Sequence, residues 1–301
     1  MNNKIYDFVF FHYPCQDGLS SAWIVNYYHN QINSTIILKP IVHTTQINIE
    51  ELKNKRVLFC DISPSLEVLE NIEKVVKRVT ILDHHISAQR VLESKEYAIF
   101  DMNMSGAGLT WNYFFPEKTP LFIEMIQDRD LWTWKIENSK DFTTGFVTIC
   151  SIYTNFNDLF LLFNELYNDP TKIDYYINFG SIINIINFNK IKNIADSHSM
   201  RVDDYSLYNN NFVYYYKVCI VNCEREIASE LGNILSSKPN IDFAVLWQYN
   251  HPKNEYYVSL RSNNKVDVSL ISKQFSGGGH KNAAGFTTNK NPIDIFVNTN
   301  D

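Results

Sequence analysis

Short apolar runs alternate with amphipathic stretches along the first hundred residues, and each run ends on a polar group. Tyr6 to Phe11 leads into His12, Arg56-Val57-Leu58-Phe59-Cys60 into Asp61, and Arg78-Val79-Thr80-Ile81-Leu82 into Asp83-His84-His85. Apolar, β-branched runs of this length predict buried strands. Between them, Leu19 to Val25 opens a helix with small residues in its first turn. Ser63 and Pro64 introduce a second, amphipathic through Leu66, Val68, Leu69, Ile72 and Val75. Strands alternating with helices predict βαβ units and a parallel sheet. Ligands of such sheets sit at the carboxyl ends of the strands. A single acid there reads as a turn or a cap; three polar ends on one edge are candidates for a metal site.

The pattern changes further on. Phe156 to about Ile194 is helical in periodicity, with Leu159, Leu162, Phe163, Leu166, Ile182, Ile185 and Ile186, and Asp196 to Asp204 is polar. An α/β pattern then restarts: strands over Phe212–Val221, Phe243–Gln248 and Tyr256–Arg261, a helix over Glu224–Leu235 and a short helix or turn from Val266 to Phe275. The expected architecture is α/β, with a parallel-sheet N-terminal domain that includes a helical linker (1–195) and a smaller α/β C-terminal domain (205–301).

Composition narrows the functions. Of 301 residues, 45% are hydrophobic and 14% aromatic, enough for packed cores. The net charge of −6 argues against a general duplex-DNA binder with a broad basic face. No stretch approaches the roughly 20 apolar residues of a membrane span, and Met1 to Asp7 lacks a signal-peptide pattern. Five irregularly spaced cysteines suit a reducing compartment, so a cytoplasmic location is expected. No Gly-x4-Gly-Lys-Ser/Thr phosphate loop is present.

Candidate chemistry gathers in four places. His12, Cys15 and Asp17 precede Gly18 in one strand-to-helix turn, where glycine permits close backbone approach. Ser105-Gly106-Ala107-Gly108 reads as a closely packed helix start in preference to a phosphate cradle. Asp128 and Asp130 flank Arg129 at the end of the apolar run Leu121–Ile126, as a surface ion pair or as metal carboxylates. Gly277-Gly278-Gly279-His280-Lys281 exposes backbone N–H groups beside cations, which suits an anion, and small residues suited to helix packing, Ala283-Ala284-Gly285, follow.

Taken in this order, the motifs resemble the DHH phosphoesterase superfamily, and the resemblance spans essentially the whole chain. Asp83-His84-His85 matches the signature, and Gly277 to Phe286 is similar to the glycine-rich segment of the C-terminal DHH-associated domain. The short-oligonucleotide and cyclic-nucleotide phosphodiesterases are the subgroup most like it. The resemblance implies metal ligation by His12, Cys15, Asp17, Asp61, His84 and Asp128, with Asp61 bridging two divalent ions. Asp128 is preferred to Asp130 because an aromatic residue, Trp132, follows four positions later. It further implies that Asp83 orients an imidazole, that His85 faces the phosphate, and that Arg261, Gly277, Gly278, Gly279 and His280 hold the substrate. Cys15 stands where the family's first motif usually has Asp, and a thiolate is a softer ligand. Two cations about 3.5–4 Å apart provide a nucleophilic water and neutralise phosphoryl charge. Mn²⁺ is the expected ion, with Mg²⁺, Fe²⁺ or Co²⁺ tolerated. The implied function is a cytoplasmic, metal-dependent phosphodiesterase or exonuclease that cuts short single-stranded oligonucleotides to mononucleotides. The alternatives are a cyclic-nucleotide or nucleoside-bisphosphate phosphatase, or a non-catalytic nucleotide-binding module, for which Cys15 is the argument.

Overall fold

Apolar residues on alternate positions of the first strands bury on opposite faces of one parallel sheet. In the computed structural model, which describes residues 4–115, 117–197, 200–209 and 212–296, the sheet comprises β1 (Phe8–His12), β2 (Ile37–Ile41), β3 (Arg56–Cys60), β4 (Arg78–Asp83) and β5 (Ala98–Phe100). Their order is β2-β1-β3-β4-β5 and every pairing is parallel. Val9, Phe11, Leu58, Cys60 and Leu82 face one core, while Phe8, Phe10, Val57, Phe59, Val79 and Ile81 face the other. Both faces of the sheet are covered, which is why its strands read as continuous apolar runs.

The second of these faces carries α2 (Leu66–Glu73) and α3 (Ile86–Leu92), through Leu69, Ile72 and Leu92. Against the first pack α1 (Gln16–Gln31), α4 (Gly106–Phe114), α5 (Leu121–Asp130), α6 (Ser139–Cys150) and α7 (Phe156–Asn168). Trp23 of α1 is fully buried there, stacked on Phe163 at 5.6 Å and edge-on to Phe122 at 5.5 Å, and its indole N–H donates to Asn164 Oδ1. The aromatic content is thus largely accounted for by packing.

The chain divides into two units, Met1–Asn184 and Ile185–Asp301, and α8 (Ile173–Ser197) begins in the first and ends in the second. The polar stretch 196–204 closes α8 and opens the strand β6 (Met200–Asn209); residues 198 and 199 lie outside the described residues. The second unit continues with β7 (Phe212–Asn222), α9 (Arg225–Ser237), β8 (Phe243–Asn250), β9 (Glu255–Ser262), α10 (Val268–Gln274), β10 (Gly278–His280), β11 (Ala283–Thr288) and α11 (Pro292–Phe296). Its sheet runs β10-β11-β9-β8-β7-β6, antiparallel except between β7 and β8. Leu231 and Leu235 of α9 cover one face through Cys219, Ala244 and Leu246, and Phe243, Val245, Leu260 and Phe286 form the other core.

Two expectations need correction. Ala283-Ala284-Gly285 lies in a strand, not a helix, and the preceding glycines form the edge strand paired to it. At α2 the cap is Ser65, whose Oγ accepts from Val68 N; Ser63 is drawn away to Asp83. All five cysteines are free, and among the described residues no helix is long and apolar enough to cross a membrane.

Candidate metal centre

Polar groups gather at the carboxyl edge of the first sheet because adjacent strands end there side by side, about 4.8 Å apart. His12 ends β1, Asp61 follows β3 and Asp83 ends β4. Asp61 has a left-handed backbone, φ 58°, pinned by its N–H donating to Leu82 O at 2.9 Å. A non-glycine residue held there carries local strain, a feature of functional positions. It turns the carboxylate between two imidazoles: Oδ1 is 3.2 Å from His84 Nε2 and Oδ2 is 3.4 Å from His12 Nδ1.

Three donor sets result, each with its atoms within 4.8 Å of one another: His12, Cys15 and Asp61; Asp61, His84 and His85; Asp17, His84 and Asp130. Asp61 and His84 each belong to two sets, which joins the three into one centre. Asp61 is 2% exposed, and its Oδ2 has the His12 imidazole at 3.4 Å but no well-formed hydrogen bond. A buried carboxylate oxygen without a well-formed hydrogen bond is costly, and a cation between His12, Cys15 and Asp61 would satisfy it. Carboxylate, imidazole and thiol together make a donor set fit for a divalent transition metal.

The centre is strongly coupled. Burial pushes Asp61 upward, but the imidazoles of His12 and His84 more than reverse this and hold it well below the carboxylate range. Burial works against the charged form of His84, yet Asp61, Asp17 and Asp130 raise it to about 9. Asp17 is driven well up by burial and by the charges of Asp61 and Asp130. Cys15 is likewise pushed up by burial and by Asp61.

Asp17 sits at the start of α1, and its carboxylate accepts from Gly106 N at 2.5 Å and Ala107 N at 2.9 Å. The amino terminus of α4 therefore cradles an acid. A Cβ on Gly106 would stand 2.6 Å from Asp61 Cβ, so glycine is required for α4 to approach the centre.

Asp128 does not join the centre. It was expected as the last carboxylate ligand, but its oxygens are occupied by the hydroxyls of Thr133 and Ser139 and by the N–H groups of Lys135 and Ile136. Asp130, at the end of α5 and just beyond Asp128, places Oδ2 3.3 Å from His84 Nε2. Asp128 organises the turn that presents Asp130. Asp83 is likewise a positioning group: Oδ1 accepts from His84 N and from His85 Nδ1, both at 2.7 Å, and Oδ2 accepts from Ser63 Oγ at 2.5 Å. With Nδ1 so engaged, Nε2 is the ring nitrogen of His85 that points away from Asp83. Burial opposes the charged form of His85, and Asp83 outweighs it and raises the ring's affinity for a proton.

One histidine at this edge escapes the sequence reading. His43 follows β2, and its ring centroid is 5.9 Å from that of His12. The signal was hidden because Pro40 and Lys39 make β2 unlike a buried strand. Beside the acids lies a cavity of about 340 Å³ lined by Cys15, Asp17, Arg129, Asp130, Trp132 and Phe146 among others.

In the second unit, Arg261 of β9 pairs with Ala283 of β11, which pairs with His280 of β10, so Arg261 and His280 share one sheet face. Arg261 donates to Ser229 Oγ of α9 and to Leu260 O, both at 2.9 Å. Gly278 is open on its side-chain face, whereas Gly277 packs closely on Gly285 and Gly279 has a positive φ of 138° that few other residues adopt.

The family model of the DHHA1 domain matches residues 210–299. Over 302 residues the chain is 35% identical to the uncharacterised protein R106 of Acanthamoeba polyphaga mimivirus, covering 94% of this chain and 68% of that protein. It is 25% identical to a 3′,5′-cyclic-nucleotide phosphodiesterase of Helicobacter pylori, covering 76% of each chain. Identity to the oligoribonuclease NrnB of Bacillus subtilis is 23%, across 82% of this chain and 63% of that protein.

Proposed function

This chain belongs to the DHH phosphoesterase superfamily, and from that premise we propose that it is a metal-dependent phosphodiesterase that degrades short oligonucleotides to mononucleotides. The observation that carries the reading is the buried carboxylate of Asp61, shared by two of three linked donor sets and with no well-formed hydrogen bond to its Oδ2. His12, Cys15, Asp17, Asp61, His84 and Asp130 would hold two divalent ions, with Asp61 shared. Such ions lower the cost of making a nucleophile from water and neutralise charge on the phosphoryl group.

The chain's own residues supply the rest. Asp83 fixes the ring of His85 and raises its affinity for a proton, so that Nε2 holds a proton for a phosphoryl or leaving oxygen. Asp17, anchored on the amides of α4, and Asp130, presented by the Asp128 turn, set the outer edge of the cluster. Mn²⁺ is our first choice of ion, with Mg²⁺, Fe²⁺ or Co²⁺ accommodated; the thiol of Cys15 biases the set toward softer members of that series. We assign substrate recognition to the second unit, where Arg261 and His280 share a face and present an anion-binding pair. The oligonucleotide substrate is supported by the likeness to an oligoribonuclease. The likeness to a cyclic-nucleotide phosphodiesterase favours a second reading, opening of a cyclic phosphodiester at the same centre.

Release of mononucleotides from a two- to five-residue RNA with added Mn²⁺ tests the proposal, with a 3′,5′-cyclic nucleotide assayed in parallel. Asp61→Ala should abolish turnover of whichever substrate is used. Retained activity in that variant would sink the assignment of the centre.

A further inference from the structure

We infer that His43 is a further substrate-binding residue, which donates a hydrogen bond to a phosphoryl oxygen of the substrate beside the metal centre; this rests on the phosphodiesterase reading above. Parallel pairing puts Ile41 of β2 opposite His12, and Tyr13 N donates to Ile41 O at 3.1 Å. The chain therefore leaves β2 at the same edge as the other site groups, and His43 lies two residues on. In sheet order, His43, His12, Asp61 and His84 form one row across four adjacent strand ends.

An exposed histidine on a loop is ordinarily a solvated residue, and three observations set this one apart. First, its backbone is held. Val42 N donates to Thr45 Oγ1 at 3.0 Å and Thr45 N to Val42 O at 2.9 Å, so His43 occupies the second position of a closed turn. Second, it faces the centre: its ring centroid is 5.9 Å from that of His12, whose Nδ1 is 3.4 Å from Asp61 Oδ2. Third, its ring nitrogens have no hydrogen-bond partner among the described residues, whereas those of His84 and His85 are engaged by carboxylates.

His43 also stands outside the three sets of grouped metal donors. A ring beside the ions, with an N–H to give, suits what a phosphodiester brings to the centre, an anionic oxygen. That oxygen belongs either to the scissile phosphate or to a neighbouring terminal phosphate, and the two are separable by substrate.

The experiment compares wild type, His43→Ala and His43→Gln on the dinucleoside monophosphate ApA and on its 5′-phosphorylated form, pApA, with Mn²⁺. Loss of one hydrogen bond to a charged group predicts a fall in kcat/KM of roughly tenfold to a hundredfold in His43→Ala. The loss should fall mainly in KM, with partial recovery in His43→Gln and with bound metal and Tm unchanged. A loss on both substrates assigns the contact to the scissile phosphate; a loss on pApA alone assigns it to the terminal phosphate. Variants that match an active wild type on both substrates overturn the inference and leave the phosphodiesterase reading intact. Loss of metal in His43→Ala would make His43 a ligand and overturn it too. A wild type inactive on both would overturn the phosphodiesterase reading and this inference with it.

Discussion

Asp128 and Asp130 lie two positions apart at the end of α5, a separation that turns their side chains away from each other on a helix. Only Asp130 reaches the acids, while Asp128 is spent on four donors in the following turn. Substitution should separate them. Asp130→Asn is expected to lose metal and to slow turnover at least a hundredfold while leaving thermal unfolding of the metal-free protein nearly unchanged. Asp128→Asn should retain two metal equivalents at saturating Mn²⁺ but lose about 1–3 kcal/mol of stability, because buried donors lose their acceptor. Metal analysis and thermal unfolding of the two proteins decide it. Nothing in the local sequence could make this distinction: both acids flank the same Arg129 on the same helix end, and the partners of Asp128 lie five to eleven residues downstream. His12, Asp61 and Asp83-His84 were legible because they stand at the ends of apolar runs, and Asp17 because it shares with His12 the turn that leads into Gly18.

Strands β1, β3 and β4 were legible for the same reason, since burial on both faces leaves a run of apolar residues. The edge strand β2 carries Lys39 and Pro40 and has exposed positions, so it left no such run, and the histidine it delivers was overlooked with it. Helix α1 was legible at its start but not in what its end does. His29 there is fully buried and its Nε2 is 3.4 Å from Tyr6 N, an arrangement that suits a neutral ring. Burial, with Arg56 adding to it, lowers its pKa to about 4. The unfolded chain takes up this proton near pH 6.5, so the neutral ring's contribution is complete above that pH and is lost progressively as pH falls toward 4. At about 1.4 kcal/mol per pH unit, the loss is on the order of 3 kcal/mol. Denaturant unfolding of the metal-free protein between pH 7 and 4 should show it, and His29→Gln should flatten the slope in that window. An unchanged slope would mean that other groups set the acid limit.

For the whole molecule, two buried acids, Asp17 and Asp61, with Asp130 beside them are a standing electrostatic cost that ligands of opposite charge relieve. An ion that binds the folded chain alone stabilises it by RT ln(1 + [M]/Kd), about 2.7 kcal/mol at a hundredfold excess over Kd. Mn²⁺ should therefore raise Tm, a chelator should reverse the rise, and Asp61→Ala should show neither. The proton on His84 competes with the metal. In the metal-free protein the His84–Asp61 pair contributes fully below pH 6.5 and fades as pH rises through about 9. The stabilisation by Mn²⁺ must run the other way and grow with pH across that interval. A shift in Tm that is flat between pH 6.5 and 8.5 would place the metal elsewhere.

The strand-end origin of the centre has a consequence for how such a chain can vary. Side chains alternate along a strand, so the sense in which Asp61, His12 or Asp83 points depends on how many residues precede it from the paired start of its strand. Replacing Leu58 by another apolar residue keeps that count. Removing Leu58 advances every following position by one and turns the carboxylate toward a helix-packed face. The same deletion in the 42–55 connection shifts no strand. The centre is thus guarded by arithmetic as well as by chemistry: a gap or insertion in a loop on the way into a strand leaves the phase of that strand intact, whereas one inside the strand does not.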